Sequence, residues 1–332
     1  MTRGVTLVVA LTVLGGLWHS PATGWPALSG PYFGQKPPGT RAEMFAPGIV
    51  SSEYHEDGPP VFSADGRDCF WRVCGSRNGI SIPGVVYWSR EEDGRWSEPR
   101  LASFTCPHGT ARLCLQPDGR RMYFASRRFG PLDRQEEEWQ PWFVDRTPSG
   151  WSEPHPLAPP ISNRRLTSFS MSTDGSLLCV LEDPGAKSAG TAVYRIRRTG
   201  DGFAAPEPMG VVPTDTTQLV AAPAFSPDGS TCVFTTRGDS GLALMVSFRR
   251  KDGAWTAPLA LGNDVNAPRQ TKFPGFSPDG RYLFFVTDRS CPRRNPPGLW
   301  KNHAFDGPHW APPCDVYWVD AKAIEALRPK KP

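Results

Sequence analysis

The chain has 332 residues, among them 33 Gly and 37 Pro, with 21% charged residues and a formal net charge of +4. A surplus so small and so dispersed excludes the basic stripe that a nucleic-acid binder needs. The abundance of turn formers points to many short elements with little helix, and past the amino terminus no stretch is apolar enough to cross a membrane.

Residues 1–27 read as a secretory signal. Arg3 supplies the positive start, residues 5–17 form an apolar core too short to span a bilayer, and Ser20-Pro21-Ala22 or Trp25-Pro26-Ala27 offers a small-residue exit. The mature protein is therefore expected to be secreted or periplasmic. Residues 28–40 form a lead-in, residues 41–321 a single repetitive domain, and residues 322–332 a short helical-looking tail.

The domain is organised by a repeat. An apolar residue, two spacers and an Asp-Gly pair occur five times, with the Asp at 65, 118, 174, 228 and 279, so successive copies lie 53, 56, 54 and 51 positions apart. Asp-Gly closes a tight hairpin, because Asp bonds its own downstream backbone and Gly accepts a positive φ. The apolar run after each turn (Cys69-Phe70-Trp71, Met122-Tyr123-Phe124, Leu178-Cys179-Val180, Cys232-Val233-Phe234, Leu283-Phe284-Phe285) is too short for a helix and too continuous for a strand with one wet face, so it is expected to be buried on both sides. A third segment follows in each copy, and in the first four a second turn leads to a Pro-bearing stretch, as in Arg95-Trp96-Ser97-Glu98-Pro99; Pro belongs on an edge strand. Four antiparallel strands per period describe a blade, and the fold class is all-β: a β-propeller of about five four-stranded blades, with six as the alternative. The fifth copy lacks its outer strand and residues 41–50 resemble one, so the ring is expected to close by pairing this N-terminal strand beside residues 316–319.

Phe-Ser-Pro-Asp-Gly at 225–229 and again at 276–280, the latter running on into Arg281-Tyr282-Leu283-Phe284-Phe285, resembles the TolB-like β-propeller repeat, the Pro-Asp-Gly relative of the WD repeat. The resemblance covers roughly residues 42–321, with the first three copies degenerate. It implies an extracytoplasmic binding or scaffold module, and TolB's own amino-terminal domain has no counterpart here. The repeat is also similar to that of oligogalacturonate lyases, whose propellers hold a divalent ion with His and Gln side chains.

Of the eight Cys, Cys69, Cys179 and Cys232 occupy second-strand positions filled by Leu or Met in other copies and are expected to be reduced core residues. Cys291 and Cys314 bracket a Pro-rich insertion and are the expected disulfide.

Ten residues before each repeat Asp stand His55, His108, Arg164, Gln218 and Arg269, all polar. Equivalent positions in a ring converge on one axis, so these five are the candidate ligand-binding residues at the channel mouth. Arg127, Arg128, Arg165, Arg237, Lys272 and Arg289 should lie near them; guanidinium groups match carboxylate, sulfate and phosphate. Glu53, Glu56, Asp57, Glu136, Glu137, Glu138 and Asp183 should lie close enough to offset that charge. Arg at two ring positions would repel a cation, so no metal and no other cofactor is expected. No Gly-x-Ser-x-Gly elbow, His-Glu-x-x-His or phosphate loop occurs, and no catalytic residue is assigned. The expected partner is a glycan, peptide or protein held on the channel face of a monomer; the alternative is a lyase or glycosidase acting on an acidic oligosaccharide, with Glu53, Glu56, Asp57 and Asp183 as the available carboxylates.

Overall fold

The computed structural model describes residues 25–77, 80–106, 108–128, 139–161, 165–182, 193–200, 202–211, 220–238, 241–267, 269–289 and 314–330. Each repeat period folds into an antiparallel sheet, giving five blades. The innermost strands are His55–Glu56 with Val61–Phe62, Thr110–Leu115, Arg165–Met171, Val220–Phe225 and Thr271–Phe276. All five Asp-Gly turns form as expected: Gly66, Gly119, Gly175, Gly229 and Gly280 have φ between 67° and 77°, and each Asp accepts the backbone N–H two residues on. Outer edges lie at Arg100–Leu101, His155–Pro156, Glu207–Pro208 and Leu259–Ala260, just beyond the small hairpins that carry Trp96 and Trp151.

The fifth blade borrows its outer strand from the other end of the chain. Glu43–Met44 pairs antiparallel with Asp315–Asp320, Glu43 opposite Trp318 and Met44 opposite Tyr317. The ring is thus closed by main-chain hydrogen bonds, and the blade edge that would otherwise stay open is covered.

Five hydrophobic clusters hold the blades together, one at each seam. Second strands alternate between them: Cys69, Trp71 and Val73 face the fifth blade, whereas Phe70 faces the second. In the same way Tyr123 and Ala125 pack against the third blade, and Met122 and Phe124 against the first. Period-two alternation with both faces buried is why these runs read as continuous apolar segments. Trp151 packs edge-on against Phe70 and Phe104 of the preceding blade. The lead-in joins the seam between the first and fifth blades: Tyr32 sits against Phe62, Tyr282, Phe284 and Trp318, and Trp25 donates Nε1–H to the Trp96 carbonyl at 2.8 Å.

The seven described Cys are buried, Cys69, Cys179 and Cys232 in second strands as expected. Cys314 is among the seven. Its expected partner Cys291 and the insertion after it lie outside the described residues. No helix among these residues is long and apolar enough to cross a membrane.

Candidate anion-binding site at one end of the channel

The five innermost strands enclose a cavity of about 370 Å³ on the ring axis. In the second, fourth and fifth blades the innermost strand carries a bulge that begins at a residue in the left-handed region: Arg112 (φ 55°), Ala222 (φ 49°) and Phe273 (φ 53°). Non-Gly residues pay for that conformation, and bulges re-aim side chains. Here Arg112 is brought into the lining of the cavity. In the first blade the innermost strand is interrupted altogether, since residues 57–60 separate the pair Glu56/Val73 from the pair Val61/Phe70. Arg72, from the second strand, faces that break.

Asp57 is the hub. Arg72 donates Nη1–H to the Asp57 carboxylate and, at 3.0 Å, to its main-chain oxygen. Lys272 of the fifth blade donates Nζ–H to Asp57 Oδ1 at 2.9 Å, and His55 Nε2 lies 3.8 Å from the same oxygen. Burial alone would push the Asp57 carboxyl up, but Arg72, the contact with His55 and Lys272 hold it well below the usual carboxylate range. Arg112 is lowered, to about 10, by burial first and then by the like charge of Arg72, with Asp57 opposing; it remains a cation at neutral pH. Arg72 and Lys272 thus share the Asp57 carboxylate, and Arg112 of the second blade stands near enough to feel the charges of Arg72 and Asp57. Gly84 makes room for this: a Cβ there would lie 2.2 Å from Arg72 Nε.

The sequence-predicted residues are placed as follows. His55, His108 and Arg269 all precede or begin innermost strands, at the channel end that holds the Asp57 cluster. His55 is buried, and its Nδ1 accepts the Cys314 N–H at 3.1 Å. His108 is half-buried and its Nδ1 lacks a hydrogen-bond partner. The Arg269 side chain is 73% exposed, with Nε 3.2 Å from Asp288. Arg164 and Gln218 lie outside the described residues, as do Glu136, Glu137, Glu138 and Asp183. Arg128 and Arg289 are tied to main-chain carbonyls, of Phe104 and of residues 263–265 respectively. Lys272 and Asp57 were expected at this mouth; Arg72 and Arg112 were not. Position 72 is occupied by Ala125, Leu181, Thr235 and Val286 in the other copies, so one charged residue at an apolar repeat position was the available signal.

Glu56 points away from its neighbour Asp57. It accepts the Ser52 hydroxyl at 2.8 Å, is fully buried and leaves Oε2 without a partner. Burial first, then the nearby Asp315, raises its pKa well above normal. Asp315, 3% exposed, is raised by burial to about 7. Glu56 and Asp57 thus serve different environments and do not face one another across a space where a glycosidic bond could sit. Among the described residues no group of three or more His, Cys, Asp or Glu could hold a metal ion.

The strand pairing defines the protein as a five-bladed β-propeller. No protein-family model matches the chain, and no curated protein does. Solved structures similar to it include TolB from Acinetobacter baumannii, 13% identical with a TM-score of 0.45 over 69% of this chain and 48% of that one, so the chain spans about half of that TolB. Others are a putative TolB from Agrobacterium tumefaciens (15%, TM-score 0.42, 69% of each chain) and a periplasmic gluconolactonase from Pseudomonas aeruginosa (20%, TM-score 0.38, 68% of this chain and 63% of that one). Likenesses this distant assign no function.

Proposed function

We propose that the protein is a TolB-like, extracytoplasmic binding or scaffold module that uses its channel face to hold an anionic group of a glycan, peptide or protein ligand. The observation that carries this reading is the meeting of Arg72 and Lys272 on the Asp57 carboxylate, with Arg112 near enough to feel the charges of Arg72 and Asp57. Positive side chains drawn together at a recessed channel end attract an anion more strongly than the same charges would on an open surface. His55 completes the cluster, while His108, Arg164, Gln218 and Arg269 are the expected contacts for the ligand's outer polar groups. Of the carboxylates considered for the alternative of a lyase or glycosidase, Asp57 is paired with cations and Glu56 faces Ser52, so these two do not support it.

The test is a screen of the exported protein against acidic glycans and acidic peptides, followed by calorimetry on the best hit with wild type and Arg112→Met. A hydrogen bond to a charged group contributes about 1.5 to 3 kcal/mol, so affinity should fall at least about tenfold. Hits that are neutral, or an acidic hit that binds the variant unchanged, would remove the basis of the proposal.

A further inference from the structure

The ring is shut by a short and wholly non-covalent joint. Glu43–Met44 has only two residues, and the strand it pairs with, Asp315–Asp320, is tied near its start to the segment that leads into the first blade. The Phe45 N–H donates to the Val316 carbonyl at 2.8 Å, the Ser51 hydroxyl accepts the Val316 N–H at 3.1 Å, and the Glu56 N–H donates to the Cys314 carbonyl at 3.0 Å. Two acids are set inside this joint. Glu56 is wholly buried and Asp315 nearly so, and each keeps one carboxyl oxygen, Oε2 and Oδ1 respectively, that no described group bonds. Asp315 stands close enough for its charge to act on Glu56. A carboxyl with an unbonded oxygen is tolerated in such a place while it is protonated; once ionised it holds an uncompensated charge out of water.

We propose that the pair is a pH-governed latch on the ring: the joint between the first and fifth blades is tight while both acids are protonated and loosens as Asp315 ionises, with the other blades intact. Burial places the loss of the Asp315 proton at about 7, far above the ordinary value of 3.8, so the closed joint is favoured at acid pH and that advantage is lost as pH rises through about 7. Glu56 keeps its proton longer, because the charge on Asp315 opposes a second one beside it. The other titratable and charged groups around the pair are His55 and Asp57 on the innermost strand segment, Arg72 and Cys74 from the second strand of the first blade, and Lys272, Asp288 and Cys314 from the fifth. Arg72 and Lys272 are already bonded to Asp57. Because His55, Glu56 and Asp57 are consecutive, loosening the joint also disturbs the channel end, but the latch does not depend on what that end binds.

The experiment is amide hydrogen exchange of the full chain, read by mass spectrometry of peptides and corrected for the pH dependence of unprotected amides. Peptides from residues 43–57 and 314–320 report the joint, and the second strand of the fourth blade, Thr231–Gly238, is the internal reference. Between about pH 5 and about pH 8 the protection of the two joint peptides should fall at least about tenfold relative to the reference, as linkage to one carboxyl of raised pKa requires. Asp315→Asn should flatten that profile, and Asp315→Ser should do the same if the amide is not accommodated. Since His55 stands beside the pair, the difference between wild type and variant, rather than the wild-type profile alone, identifies the acid responsible. A fall shared equally by joint and reference would overturn the latch, because the whole fold would then be weakening together. A fall that persists in both variants would overturn it as well, by assigning the effect to another group.

Discussion

Replacing Asp315 by Asn should make the protein more stable at neutral and alkaline pH. Asp315 is 3% exposed, its Oδ1 has no hydrogen-bond partner, and burial raises its pKa from 3.8 to about 7. A carboxyl whose folded pKa lies above its unfolded one is no burden below the unfolded value, where it is protonated in both states. Stability is then lost as pH rises from about 4 through about 7, because unfolding releases the proton. The gap of about three pKa units corresponds to roughly 4 kcal/mol by the upper end of that window. Glu56, raised for the same reasons and further by Asp315 itself, acts with the same sign. Asp57 acts oppositely: its pKa is depressed, so its contribution is present above the unfolded value and is lost on acidification. The difference between wild type and Asp315→Asn isolates the first effect from the last. Urea unfolding across this range should give midpoints that agree at the acid end and diverge, in favour of the variant, as pH rises, with m unchanged. Parallel pH profiles for the two proteins would show that Asp315 is not held in an environment hostile to its charge.

Arg72→Met should cost about 1.5 to 3 kcal/mol by removing one of the two cations bonded to the Asp57 carboxylate, and the cost should be smaller in an Asp57→Asn background; urea unfolding of the four-protein cycle measures both. Tyr32→Ala should destabilise the protein by about 2 kcal/mol or more, less than the full cost of deleting a wholly buried aromatic, because Tyr32 is partly buried in the seam between the first and fifth blades; the shift in thermal midpoint reports it. If residues 1–27 direct export, amino-terminal sequencing of the exported protein should find cleavage after Ala22, which retains Trp25 and its bond to Trp96, in preference to cleavage after Ala27, which discards them.

The blades were legible because a hairpin leaves a local mark. Asp-Gly with a Ser two residues before it repeats four times, and in each case the Ser hydroxyl donates to the Asp carboxylate. The closure was legible too, since one blade lacked an edge and the chain's start supplied a spare. The candidate site was only half legible. Counting back from the repeat Asp led to His55, His108 and Arg269, which stand at the channel end that holds the Asp57 cluster, but it treated the inner strands as regular. What gathers the charge is irregularity: a break in the first blade that exposes Arg72, and a bulge in the second that turns Arg112 inward. Arg72 could have been found by comparing the repeats position by position. Arg112 could not, because its inward aim depends on a φ of 55° that no residue in the sequence demands.

The most direct test of the channel-end anion site is the anomalous diffraction of a crystal soaked in bromide, which needs no knowledge of the natural ligand. A bromide within contact distance of both Arg72 and Arg112, at higher occupancy than any surface site, is the predicted result. Bromide distributed over exposed Arg and Lys side chains with none inside the channel would contradict the account.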